Sequence, residues 1–284
     1  MAPQKTAYVT GAASGIGRQV TEMLAARNIR VAAADKNYEG VKSVAAYLNN
    51  QSQEQDDLVK PYEVDTGDWD SQLSVFESVL KDLGGRIDYV YSIAGIGERV
   101  SVPNDPKAKG FVKPDLSVLD VDLYGFLYTS SLALQQMRRQ EKGEDGFRGK
   151  IATVASVCGF YCVPTLPIYT AAKHGIVGYV RSFGKYLPEE GITLNAVCPS
   201  VVQTGISTAS FYNTLADKDL LTPIEIVVDA FANFLDGKMS GECIEAGPKG
   251  NLVPRAPPEH LDRESAEVME MLYSRGHALH QPKS

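Results

Sequence analysis

Short apolar runs alternate along this chain with longer stretches in which apolar residues recur every three or four positions, and that alternation predicts its elements. Residues 5–10 read as a strand, after which Ile16, Val20, Met23 and Leu24 mark a helix face. A second strand occupies residues 30–34, followed by a helix face of Val41, Val44, Ala45 and Leu48 and a polar loop over 49–57. Residues 58–64 read as a third strand, in which Pro61 calls for an edge position or a bulge because it has no N–H to give a ladder. Leu73, Phe76, Val79, Leu80 and Leu83 form the next helix face, and residues 87–93 the fourth strand. The stretch 97–114, rich in Pro, Gly and charge, reads as an exposed loop. Leu116, Leu119, Leu123, Leu127, Leu134 and Met137 then predict a long helix from 116 to about 141. A fifth strand (151–155), a helix beginning at Tyr169 and closed by Pro188, and a sixth strand (193–197) follow. A loop to Leu221, a helix from Pro223 to Asp236 and a seventh strand (242–246) complete the pattern.

Strands alternating with helices imply right-handed crossovers and an α/β fold, a doubly wound parallel sheet of about seven strands with helices on both faces. For a chain of 284 residues, one domain over 1–250 is the simpler reading. Residues 251–284 read as a tail in which Val268, Met269 and Leu272 mark a short surface helix.

Charge and composition narrow the chemistry. The formal charge is −7, from 28 Lys and Arg against 35 Asp and Glu, with no basic run to serve as a footprint for nucleic acid or an anionic membrane. No apolar run has the length of a membrane span, and the first residues lead into a strand rather than a signal-peptide core. A cytoplasmic protein with neither nucleic-acid nor membrane partner is therefore expected. Cys158, Cys162, Cys198 and Cys243 lack the paired spacing and His partners of a zinc site, so free thiols and no metal are expected.

Candidate chemistry collects at strand ends. Between the first strand and helix lies Thr10-Gly11-Ala12-Ala13-Ser14-Gly15-Ile16-Gly17. Glycines there let backbone approach a pyrophosphate, whose charge meets the N–H groups and positive dipole end of the helix. A glycine cluster can also be only a tight turn, but a strand before it and a helix after it are the context the dinucleotide reading requires. Asp35 follows the second strand, 18 residues beyond Gly17. An acidic side chain there accepts hydrogen bonds from an adenosine ribose and repels a 2′-phosphate, favouring NAD over NADP. The other reading is a cap for the next helix, and Lys36 offsets part of the repulsion. Asp65, after the third strand, is placed either to contact adenine or to start the helix that follows. The fifth strand delivers Ser156 to its carboxyl end, the edge at which open parallel sheets bind ligands. Tyr169 and Lys173 stand four apart and share a helix face. A phenol with an ordinary pKa of about 10 is a poor base at neutral pH, and a fixed positive charge beside it stabilises the phenolate. Such a pair can exchange a proton with an alcohol or ketone, although the spacing alone also fits one side of a solvated helix.

Together the glycine turn, Asp35, Asp65, Ser156, Tyr169, Lys173 and Pro199-Ser200-Val201-Val202-Gln203-Thr204 resemble a short-chain dehydrogenase/reductase over roughly residues 5–247. The resemblance implies a Rossmann-type fold and an oxidoreductase that exchanges a hydride between NAD and a hydrophobic secondary alcohol or its ketone. It implies that Tyr169 handles the hydroxyl proton, Ser156 hydrogen-bonds the substrate oxygen, and Lys173 binds the nicotinamide ribose while lowering the tyrosine pKa. Gly11, Ser14, Gly15, Ile16, Gly17, Asp35, Asp65, Ala94, Gly95, Val202 and Thr204 would line the cofactor. The long helix and the Tyr169 helix would pack against symmetry mates in a homodimer or homotetramer.

Three stretches depart from the family pattern. Ser92-Ile93-Ala94-Gly95 stands where Asn-Asn-Ala-Gly is usual, Asp122 where a catalytic Asn is usual, and Pro199-Ser200 where Pro-Gly is usual. In the family that Asn's main-chain carbonyl holds a water joining the lysine to solvent, and any residue offers a carbonyl. Asp122 therefore stays a catalytic candidate, one whose carboxylate near Lys173 favours a protonated lysine and a less acidic Tyr169. The segment 241–250 lacks the usual acidic di-glycine and resembles the ending of hydroxyprostaglandin dehydrogenases and insect-type alcohol dehydrogenases, a subgroup that mostly uses NAD. Cys158, Phe160, Phe211 and Tyr212 lie in apolar stretches suited to the walls of a substrate pocket, or equally to ordinary core. A second reading, prompted by Ile93 and Asp122, is a protein of this fold that binds nucleotide for sensing, scaffolding or a redox-neutral reaction. Intact Ser156, Tyr169 and Lys173 oppose it.

Overall fold

The computed structural model describes residues 4–51 and 57–282. Its centre is an eight-stranded sheet in the order β3-β2-β1-β4-β5-β6-β7-β8. The strands are β1 (Thr6–Thr10), β2 (Arg30–Asp35), β3 (Val59–Glu63), β4 (Tyr89–Ser92), β5 (Gly149–Val154), β6 (Ile192–Pro199), β7 (Cys243–Ala246) and β8 (Leu252–Pro254). All pairings are parallel except β7 with β8. Strands buried on both faces need apolar residues throughout rather than alternation, and every residue of β1, β4 and β6 is buried. β3 forms one edge, where Pro61 costs no ladder donor the sheet needs.

One face of the sheet is covered by α1 (Gly15–Ala26), α2 (Tyr38–Gln51) and α7 (Ile224–Asp236), which contribute Val20, Leu24, Val41, Leu48 and Phe231 to one core cluster. The other is covered by α3 (Trp69–Asp82), α4 (Gly125–Arg138) and α5 (Pro167–Tyr186), with Phe76, Phe126, Met137, Ile176 and Val180 in a second cluster. From β1 the chain runs outward through β2 and β3, then returns to place β4 on the other side of β1. Reversal of strand order opens a crevice at the carboxyl ends of β1 and β4, the position at which open α/β sheets take ligands.

Five features differ from the sequence reading. The tail adds β8, an antiparallel edge strand, before α8 (Arg263–His277), none of whose residues is buried. The loop leading to Leu221 contains α6 (Ala209–Ala216), capped by Thr208. The Tyr169 helix begins two residues early, with Pro167 in its first turn. The long helix opens with a wide π-helical turn, Leu119–Tyr124, before α4. That junction is held by buried Gln72, which donates to the Thr66 and Gly125 carbonyls and accepts from Thr129. Residues 49–51 extend α2, and part of the polar loop read over 49–57 lies outside the described residues.

The amino ends of the two central strands are tied by Asp88. Its Oδ2 accepts the Thr6 N–H at 3.0 Å, and its Oδ1 receives Arg86 at 2.8 Å and Lys5 at 3.1 Å. Burial opposes the charge of Asp88, but the Arg86 and Thr6 hydrogen bonds and the nearby cations outweigh it and hold the carboxyl below its ordinary pKa. A group depressed in this way contributes stability in full above its unfolded pKa of about 3.9 and loses it as pH falls through the lower folded value. Asp88→Asn is expected to lower unfolding free energy at pH 7 by about 1–3 kcal/mol, read from urea midpoints. The gap to wild type should narrow below about pH 4; a gap independent of pH would show that the charge is not what matters.

Candidate functional site

The turn from β1 to α1 is closed by contacts only glycine permits. Gly11 has φ +73°, and a Cβ there would lie 2.7 Å from the Ala94 nitrogen. A Cβ on Gly17 would collide with the Gly11 carbonyl oxygen. Gly15 has φ +51° and lies against Thr204. Ser14 stands at the N-cap of α1 with its hydroxyl capping nothing, and no acidic side chain occupies the first turn. The helix thus presents unpaired N–H groups and its positive end to the crevice, a cradle that fits the pyrophosphate of a dinucleotide.

Asp35 ties this turn to the end of β2: its Oδ2 accepts the Ala13 N–H at 3.0 Å and its Oδ1 the Asn37 N–H at 2.8 Å. It does not cap α2, since the bond to the Gly40 N–H comes from Asn37. Asp65 likewise leaves capping to Asp68, whose Oδ1 accepts the Ser71 N–H. Asp65 instead accepts from Gly67 and pairs with Lys36 at 2.6 Å, and the Lys36 hydrogen bond holds its carboxyl below the ordinary range. Lys36 is thereby drawn towards Asp65. Ile93, where an Asn is usual, packs its side chain into the core while its N–H donates to Thr10 Oγ1 at 3.1 Å.

At the other end of the crevice β5 delivers Ser156, whose hydroxyl accepts the Cys158 N–H at 3.1 Å. Lys173 on α5 is buried, with Nζ 5.2 Å from the Tyr169 ring centre and 3.0 Å from Asp122 Oδ2. It also donates to the Val154 carbonyl at 3.4 Å. Asp122, in the π-helical turn, is 2% exposed, and its Oδ1 accepts the Ile96 N–H at 2.8 Å. Burial alone would pull the Lys173 pKa down, but the Asp122 carboxylate outweighs it and the ammonium is stabilised above its ordinary value. The Tyr169 phenol is pushed up, first by burial and further by Asp122, with Lys173 and the Ser156 hydroxyl pulling only partly the other way. The result is a protonated phenol beside a hydroxyl and a cation already matched by a carboxylate.

These two ends belong to one cleft of about 1270 Å³. It runs from Asp35, Lys36 and Asp65 past the glycine turn, Ala94 and Gly95 to Ser156, Tyr169 and Lys173. Ile16, Cys158, Val202, Thr204, Phe211 and Tyr212 also line it. Asp122 sits behind the wall and bears on the cleft through two residues that line it, Lys173 and Ile96. Of the two readings of Phe160, core fits better than pocket wall: it packs against the second core cluster, with the guanidinium groups of Arg181 at 5.2 Å and Arg255 at 5.8 Å from its ring, and is not among the residues that line the cleft. Ile96, Glu98 and Arg99 line the cleft from a stretch read only as the end of a strand and an exposed loop, where no periodicity marks them. Among the described residues no cluster of His, Cys, Asp or Glu could hold a metal ion, and no helix is long and apolar enough to cross a membrane. All four cysteines are free thiols, with Cys162 exposed and the others buried.

A short chain dehydrogenase family model matches residues 5–214. The chain is 34% identical over 204 residues to 15-hydroxyprostaglandin dehydrogenase (NAD(+)) of Homo sapiens, covering 71% of this chain and 70% of that one. It is 26% identical over 280 residues to a short-chain dehydrogenase/reductase of Penicillium rubens, covering 93% and 88%. The 3-ketoacyl-(acyl-carrier-protein) reductase from Brucella melitensis complexed with NADH superposes with TM-score 0.73 at 20% identity, over 86% of this chain and 97% of that one. The actinorhodin polyketide ketoreductase with NADPH gives 0.72 at 24% identity, over 88% and 100%. The structural likenesses speak for the fold alone; the family match and the human relative go further, and they show that this chain belongs to the short chain dehydrogenase family.

Proposed function

We propose that this protein is an NAD-dependent oxidoreductase that exchanges a hydride between nicotinamide and a hydrophobic secondary alcohol or its ketone. The observation that carries the reading is the Tyr169–Lys173 pair beside Ser156, at the far end of a cleft that begins in a glycine cradle. Nicotinamide, when bound, supplies the hydride acceptor or donor that no side chain provides. Tyr169 takes the hydroxyl proton of the alcohol during oxidation and returns it during reduction. Ser156 donates a hydrogen bond to the substrate oxygen, which orients the carbinol carbon and stabilises charge developing on that oxygen. Lys173 holds the nicotinamide ribose and supplies the positive field that makes the phenolate accessible.

On the nucleotide side, Gly11, Ser14, Gly15, Ile16 and Gly17 receive the pyrophosphate, and Asp35 the adenosine ribose. Asp65, Ala94 and Gly95 border the adenosine and nicotinamide halves, and Val202 and Thr204 the carboxamide. The choice of NAD rests on the Asp35 carboxylate and is in keeping with the cofactor named for the human relative. Cys158, Phe211 and Tyr212, with Val163 and Leu166, give the substrate end apolar walls. Partly exposed Tyr124, Leu127, Tyr179 and Phe183 on the π turn, α4 and α5 suit a homodimer or homotetramer. A second reading, nucleotide binding without turnover, draws on Asp122, which already matches the Lys173 charge. Its signature is bound NADH with no activity across a panel of alcohols and ketones.

Tyr169→Phe keeps the ring and removes the exchangeable proton. It is expected to lower kcat roughly 10²- to 10⁴-fold while fluorescence titration gives a little-changed Kd for NADH, whereas Lys173→Ala should harm both. Retention of more than about a tenth of wild-type kcat by Tyr169→Phe would take Tyr169 out of proton transfer. Asp35→Ala loses a ribose acceptor and a repulsion together, so the NADP-to-NAD ratio of kcat/KM should rise by roughly tenfold or more. A wild-type protein that uses NADP at least as well as NAD would refute the cofactor assignment.

A further inference from the structure

Helix α5 carries Tyr169 in its first turn, yet that turn has no cap of its own. The N-cap residue Leu166 offers no side-chain acceptor, and Pro167 follows it. Helix starts leave N–H groups unpaired unless something outside the helix satisfies them. Here the acceptor comes from about 70 residues upstream in the chain: Glu98 Oε2 takes the Tyr169 N–H at 2.7 Å, and Oε1 lies 3.4 Å from the Ile168 N–H. A carboxylate on a helix N-terminus gains both charge-assisted hydrogen bonds and a favourable interaction with the helix dipole.

The other end of this attachment matters as much. Two residues before Glu98, the Ile96 N–H donates to Asp122 Oδ1 at 2.8 Å, while Asp122 Oδ2 meets Lys173. Between them Gly97 has Ile206 atoms 3.1 Å from where a Cβ would stand, so the segment runs through a tight gap. Three consecutive residues therefore join two carboxylate clamps: one on the ammonium of α5, the other on the backbone of the tyrosine one turn earlier in the same helix.

We propose that Glu98 is a positioning residue of the proton-transfer site, clamping the first turn of α5 so that the Tyr169 phenol is held in register with Lys173 and Ser156. This rests on the reading of Tyr169 as the proton-transfer group. Glu98 acts through the Tyr169 backbone, and its bonds are to main-chain N–H groups. Its loss leaves the first turn to fray, and misplacement of a reacting group by about 1 Å costs on the order of 10²-fold in rate. Asp122 and Glu98 together make the segment after β4 a strap across the cleft wall.

The test compares Glu98→Ala and Glu98→Gln in the full-length protein. Glu98→Ala is expected to lower kcat roughly 10- to 100-fold, with the Kd for NADH and the alcohol KM changed much less. Glu98→Gln keeps a carbonyl oxygen for the Tyr169 N–H and should recover most of the lost kcat. Hydrogen–deuterium exchange over 166–172 should speed up in Glu98→Ala and return towards wild type in Glu98→Gln. Wild-type kcat in Glu98→Ala, a Glu98→Gln as impaired as Glu98→Ala, or unchanged exchange over 166–172 would each overturn the proposal. Should the wild type turn over no alcohol or ketone, the dehydrogenase reading fails on its own, and the exchange comparison still decides whether Glu98 clamps the helix.

Discussion

The buried ion pair between Lys173 and Asp122 is the constraint around which the rest of this site is arranged. Taking both charges out of water is expensive, and each is tolerable only because the other is 3.0 Å away. That requirement reaches into three elements. It fixes the rotation of α5, holds the π-helical turn ahead of α4 with Asp122 facing inward, and, through the Ile96 N–H, pins the segment leaving β4. Gln72 secures the exit from that turn by donating to the Gly125 carbonyl.

The same pair sets the electrostatics of the phenol. Had the Lys173 ammonium no partner, its field on Tyr169 would be undiluted and would oppose burial more strongly. With a carboxylate beside it, the net field is weaker, the lysine holds its proton more tightly, and the phenol stays protonated to higher pH. Burial and Asp122 act in the same direction on Tyr169, with the Ser156 hydroxyl and Lys173 on the other side. Polar groups at the carboxyl edge of a parallel sheet thus tune one another through a buried ion pair, and Asp122 does so without lining the cleft.

Much of this architecture is legible in the chain because it follows from period and punctuation. Short, mostly apolar runs at β1, β2, β4 and β6 alternate with helix-period stretches, which suits strands buried on both faces, and the glycines at 11, 15 and 17 are required by φ and close approach. Tyr169 and Lys173 share a face by spacing alone. Other features leave no local mark. The π-helical turn at Leu119–Tyr124 has the same residue types as an ordinary helix, and the groups that hold it, Lys173 beside Asp122 and Gln72 on the Gly125 carbonyl, are distant in the chain. β8 is three residues long and exists only because β7 offers an edge. Phe160 looks like any apolar wall residue until Arg181 and Arg255, distant in the chain, cover its ring. Glu98 sits in a charged, proline-rich stretch whose anchoring depends on a helix start about 70 residues later.

The Asp122 carboxylate, acting through Lys173, holds the Tyr169 phenol less acidic than it would otherwise be. The direct measurement is the pH dependence of kcat for alcohol oxidation in wild type and Asp122→Asn, at saturating NAD and substrate. With Tyr169 accepting the alcohol proton as proposed, rate should rise with pH in both proteins, and removal of the carboxylate charge should move the rising limb to lower pH. A limb that stays in place, or moves to higher pH, would show that Asp122 does not act on the phenol in this way.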